Sequence, residues 1–185
     1  MRIQRLTLVF LLVLASRGIA QTPSDGKIVG DSYVNSYFKF SYTWPSMLKP
    51  YDTKSLNLPQ SSPSANEFML FSARQGDEPY GVVVLAVRLN AVTPRSRGIR
   101  DGSDLIDRVE KFSPEQHAVV VSRKHFTNAA GLVFDQLDYT DNGVASSAIA
   151  AEIGKFLIVV KCNAKSAPDL AEMDRAAAEL RLTKQ

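Results

Sequence analysis

The sequence is poor in the residues that usually carry chemistry. It has one cysteine, Cys162, and two histidines, His117 and His125, in 185 residues. A single cysteine excludes an internal disulfide, so an exported form of this chain is held together by packing. An odd cysteine in such a protein is a reactive thiol, an intermolecular bridge or a core residue. Cys162 lies in phase with Phe156, Ile158 and Val160, which points to a buried, inert side chain. The two histidines, eight positions apart, would be roughly 26 Å apart on one strand at ~3.3 Å per residue. They share a metal only if the chain bends sharply between them. His125 falls in phase with Arg123 and is expected to face outward.

Catalytic motifs are missing too. There is no Gly-x-Ser-x-Gly, the turn that raises the serine of many hydrolases. Ser146 and Ser147 sit in a run of small residues, 145–151, which reads as close packing beneath a helix. Asp135, Asp138 and Asp141 lack the spacing of a calcium loop. Three positions along a strand put Asp135 and Asp138 on opposite faces, and Asp141 belongs to a turn. No internal repeat occurs. No enzyme class, metal or cofactor is implied.

Long apolar runs are absent as well. The longest opening run, residues 6–15, is ten residues, and a membrane-spanning helix needs roughly 20. It follows Arg2 and Arg5 and precedes Gly18-Ile19-Ala20, so residues 1–20 read as a secretory signal peptide. No cysteine follows the expected cut, which argues against a lipid anchor. The formal charge of +3 comes from 22 basic and 19 acidic residues. The leader holds Arg2, Arg5 and Arg17, so the mature chain is near neutral, and the case for nucleic acid disappears. About 165 residues remain, enough for one domain with its own core. The chain divides into the leader 1–20, a flexible mature terminus 21–30 and a globular domain 31–185.

Tyr37 to Thr43 alternates, with Phe38, Phe40 and Tyr42 on one face, and predicts a half-buried strand. Trp44-Pro45 ends it. Residues 49–66 carry Pro50, Pro59 and Pro63 among serines and read as a long surface loop. Strands are expected over 67–74 and 81–89, joined as a hairpin. The second is apolar on both faces, so it is central and covered twice. An arginine-bearing loop, 90–102, leads to a helix over 103–112 with Ser103 as N-cap. Its i,i+4 pairs are Asp104 with Arg108 and Asp107 with Lys111. Four antiparallel strands follow, about 118–126, 132–140, 144–153 and 155–163. Asn142-Gly143 marks a tight hairpin. A helix over 168–182 closes the chain on Leu170, Met173, Ala177 and Leu180. The fold class is α+β, an antiparallel sheet with helices covering it.

The stretch Tyr33-Val34-Asn35-Ser36-Tyr37-Phe38-Lys39-Phe40-Ser41-Tyr42-Thr43-Trp44-Pro45, together with Gly154-Lys155-Phe156-Leu157-Ile158-Val159 and the helix after it, resembles the PsbP-like family. That resemblance spans about residues 31–182. It implies an α/β/α sandwich and a place among exported bacterial relatives, whose family members with known roles tend to be non-enzymatic partners of larger assemblies. No metal site carries over.

Two functions fit. The leading one is a secreted or periplasmic, non-catalytic binding module that engages a protein partner or an envelope component. Arg95, Arg97 and Arg100 are its candidate anion-gripping residues, with Tyr33 and Tyr37 as exposed aromatic anchors; the competing reading makes the arginines a solvated loop and the tyrosines core. The alternative is a carrier of a small apolar or aromatic ligand, in a pocket between helix and sheet lined by Phe126, Phe134 and Phe156.

Overall fold

The computed structural model describes residues 22–51, 66–91, 98–112 and 118–183. The signal segment, Arg95, Arg97, His117 and most of the Ser/Pro loop lie outside them.

Two antiparallel sheets form. The smaller contains β1 (Gly26–Val29), β2 (Ser32–Asn35), β3 (Phe40–Thr43) and β11 (Arg181–Leu182), in that spatial order. The larger orders β4 (Lys49–Pro50), β5 (Glu67–Arg74), β6 (Gly81–Arg88), β10 (Phe156–Ala164), β9 (Val144–Ile153), β8 (Val133–Asp141) and β7 (Val119–Thr127). Helix α1 (Gly102–Phe112) packs on one face of the larger sheet; α2 (Ala167–Ala178) and the smaller sheet cover the other.

The central strands explain the layering. Along β10, Phe156, Ile158, Val160, Cys162 and Ala164 join the core beneath α2 and the smaller sheet. Leu157 and Val159 belong to a second cluster on the opposite face, which Leu105 of α1 touches. A strand covered on both faces has no reason to alternate with polar residues. The small residues of β9 serve the same end: Ala148 packs with Ile106 of α1, while Ala151 joins the α2 face.

The expected strands and helices form, with corrections at their ends. Among the described residues, structure is present before residue 31: β1 pairs with β2, and Asn35 Nδ2 donates to Pro23 O at 2.9 Å. β3 is shorter than its alternating pattern: residues 36–39 turn instead, yet Phe38, Phe40 and Tyr42 are all buried as the alternation requires. Lys49–Pro50 pairs with β5 and is not loop. Asp101, not Ser103, caps α1, since its Oδ1 accepts from Asp104 N at 2.7 Å. Arg108 pairs with Asp104 at 2.9 Å, but Asp107 pairs with Arg123 of β7 at 2.7 Å in place of Lys111. α2 is capped by Ser166 and stops at Ala178; Leu180 is buried beyond its end, and Arg181–Leu182 then pairs with β3. Among the described residues no helix is long and apolar enough to cross a membrane.

Candidate functional site

The site begins at Asn35, a fully buried amide at the end of β2. Its Nδ2 donates to Tyr33 Oη at 3.0 Å and its Oδ1 accepts from Phe38 N at 3.0 Å. One side chain thus fixes the 36–39 turn from within, as Asn does in turns generally. Tyr37 projects from that turn and Phe38 points inward. Lys39 follows with φ of +54°, a left-handed conformation that costs a side-chain-bearing residue roughly 1–2 kcal/mol. The Lys39 carbonyl accepts from Thr183 N at 2.7 Å, so the chain end holds the turn in place.

A second turn meets the first. Gly154 and Lys155 join β9 to β10, and Gly154 supplies the positive φ of +63° that the turn requires. The Lys155 carbonyl accepts from Leu89 N at 3.0 Å. Phe156, the first residue of β10, packs edge-to-face with Phe38 at 5.1 Å and with Tyr37 at 6.1 Å. Tyr37 also meets Phe38 edge-on at 4.8 Å. The Arg88 guanidinium stands over the Phe156 ring at 5.2 Å, within cation–π range.

These two turns enclose a trough of about 400 Å³, open to solvent and lined by Tyr37, Phe38, Lys39, Ile153, Gly154, Lys155 and Phe156. Its floor is aromatic and recessed; Tyr37 is the partly exposed ring, at 39 %. Lys39, Lys155 and Arg88 are exposed around it. None of the three has a carboxylate within 4.0 Å among the described residues.

The sequence-derived residues are placed unevenly. Tyr37 and Phe156 meet in the trough. Tyr33 does not reach the surface: it is 3 % exposed, stacks on Phe71 at 5.4 Å and accepts from Asn35, so burial raises its pKa. Its role as an exposed anchor is corrected to a core role. Arg100 is exposed, with its guanidinium 3.6 Å from Asp104. Arg95 and Arg97 lie outside the described residues. Phe126 stacks on Phe134 at 5.2 Å; Phe134 and Phe156 are buried in one core with Phe126 packed against it, and of the three only Phe156 lines the trough.

His125 faces outward and contacts Asp135 at 2.9 Å. Among the described residues no group of three or more metal-ligating side chains converges. Cys162 is fully buried, and burial first, then the Asp174 charge, pushes its thiol far above the ordinary value. Lys39, Lys155 and Arg88 were not singled out in the sequence. The only available signal was a lysine beside an aromatic in two separate turns, Lys39-Phe40 and Lys155-Phe156. Nothing local says that turns more than a hundred residues apart will meet.

A scan of protein-family models and a search of curated proteins returned no match. Among solved structures, the chain is similar to cyanobacterial PsbP (CyanoP) from Synechocystis sp. PCC 6803. The TM-score is 0.55 at 15% identity, over 91% of this chain and 98% of that one. A protein of unknown function from Pseudomonas aeruginosa, PA94, described as a putative regulator, aligns at TM-score 0.37 and 13% identity over 71% of this chain and 92% of its own. The two sheets, the flanking helices and the CyanoP alignment together make the fold a PsbP-like α/β/α sandwich.

Proposed function

We propose that this chain is an exported, non-catalytic binding module that engages a protein partner or an envelope component through the end of the sheet where the trough lies. The observation that carries this reading is the convergence of Lys39, Lys155 and Arg88 on a recessed aromatic floor. Export rests on the signal-like leader.

Both long loops of the sequence return to the same end. Arg88 N donates to Asn66 O at 2.7 Å, where the Ser/Pro loop closes. Asn90 N donates to Ile99 O at 2.7 Å, closing the base of the arginine loop one residue beyond the Leu89–Lys155 bond. A partner on the trough therefore sits beside the roots of both loops. Arg95 and Arg97 are proposed to add to its electrostatic attraction, and reversing both charges would then slow association.

The carrier reading needs a chamber that hides most of a small ligand. Phe134 and Phe156 sit in one buried core with Phe126 packed against it, and the trough at Phe156 is open to solvent, which favours a binding surface over an enclosed chamber.

The test is a photo-crosslinking side chain at position 37, with position 28 on exposed β1 as the control, in the native cell. The proposal expects extracytoplasmic processed protein and a discrete protein or envelope adduct from position 37 alone. Equal adducts from both positions, or none from position 37, would overturn it.

A further inference from the structure

We propose that the trough accepts an acidic protein segment that carries one aromatic or bulky apolar anchor. This rests on the binding-module reading above and names the chemistry of its partner.

The recess fits an incoming side chain. Phe38 and Phe156 are 5 % and 6 % exposed, so their rings form a floor and do not protrude. An anchor entering between Tyr37 and Ile153 would meet ring edges and faces on a surface already in place, with little ordering left to do. Recessed rings are the wrong shape for insertion into a bilayer, which needs apolar groups that project. The open outer side also disfavours a free small molecule, whose surface would stay largely wet. A segment with flanking residues covers the rim itself.

Charge sets the second requirement. Lys39 and Lys155 lie on the two turns lining the trough, and Arg88 stands beside its floor. The Arg88 guanidinium stands 5.2 Å over the Phe156 ring, and its planar fork suits a carboxylate better than a lysine ammonium does. The backbone of each lysine is pinned by its own hydrogen bond, from Thr183 N and from Leu89 N. Lys39 is kept in a left-handed conformation that glycine or asparagine adopts more cheaply. Strain retained at a surface turn is an outlier from which a functional role is reasonably inferred. Here the strained residue is a lysine that lines the trough.

The test uses the full mature chain and a short dye-labelled peptide of glutamates around a central phenylalanine, followed by fluorescence anisotropy. Matched peptides replace the phenylalanine with alanine or the glutamates with glutamine. Vesicles of anionic phospholipid serve as the competing occupant. The variants are Lys155→Glu and Arg88→Glu, with Lys155→Gln as a milder change, each checked for an unchanged thermal transition. The inference predicts binding that weakens about tenfold or more in each charge reversal and in both altered peptides, and no variant-sensitive binding to vesicles. Equal affinity in the variants, indifference to the peptide's phenylalanine or charge, or vesicle binding that the variants abolish would overturn it. If the position-37 adduct forms in cells while the peptide fails, the acidic-segment inference falls and the binding-module reading stands; if neither occurs, both fall.

Discussion

Ser147 Oγ donates to Asp174 Oδ1 at 2.5 Å, tying β9 to α2 across the buried side of the helix. Asp174 follows Met173 on the stripe formed by Leu170, Met173 and Ala177, so a carboxylate occupies a position that helical spacing assigns to the core. Gln136 Nε2 donates to Asp174 Oδ2 at 3.0 Å and to Asp138 Oδ1 at 2.5 Å. Two carboxylates thus share one amide. Burial first, then the Asp138 charge, pushes Asp174 up to about 6, against the lowering effect of the Ser147 and Gln136 bonds and the Lys124 charge. Burial would raise Asp138 as well, but hydrogen bonds from Lys124, Ser122 and Gln136 outweigh it and hold its pKa below the ordinary carboxylate value.

The sign of the pH dependence follows. Between about 4 and about 6 the folded chain binds a proton at Asp174 more tightly than the unfolded chain does, so stability falls as pH rises through that window. Asp138 acts at lower pH: its contribution is present above its unfolded pKa and is lost as pH falls through its depressed folded value. Denaturant titrations should show Asp174→Asn flattening the 4-to-6 slope by about 1–2 kcal/mol, after discounting the partly exposed carboxyl for screening. An unchanged slope contradicts the assignment.

Asn35→Ala should cost about 2 kcal/mol, because it leaves the buried Phe38 N–H and Tyr33 hydroxyl without their partner. The loss should appear in the denaturant midpoint, and peptide binding at the trough should weaken in parallel, since the same amide sets the turn that carries Tyr37. Stability loss with intact binding would separate Asn35 from the site.

Lys39→Gly should separate stability from binding in the other direction. It relieves the left-handed lysine and adds disorder to the unfolded chain, for a net change between zero and a gain of about 1 kcal/mol. Affinity for an acidic peptide should drop nonetheless. A marked loss of stability would show that the lysine side chain supports the fold.

The hairpins and both helices were legible because their signals are local: Asn142-Gly143 for the β8–β9 turn, Pro168 and the apolar stripe for α2. Two features escaped for physical reasons. The strand Arg181–Leu182 is two residues long and exists because β3 offers it an edge. The alternation of 37–43 overstated a strand because a turn held by Asn35 can bury Phe38 just as a strand would. The candidate site was half visible. In the sequence Tyr37 reads as an anchor and Phe156 as a pocket wall, for different functions, and only the fold puts them on one trough. Tyr33 misled because a tyrosine near a strand start looks the same whether its hydroxyl meets water or Asn35.

The most direct test of the central claim is amide chemical-shift mapping of the mature chain during titration with the acidic, phenylalanine-bearing peptide. The account predicts perturbations gathered on Tyr37, Phe38 and Lys39, on Ile153 to Phe156, and on Arg88. Shifts centred on Arg100 and Asp104, on edge strand β7, or spread evenly over the surface would contradict it.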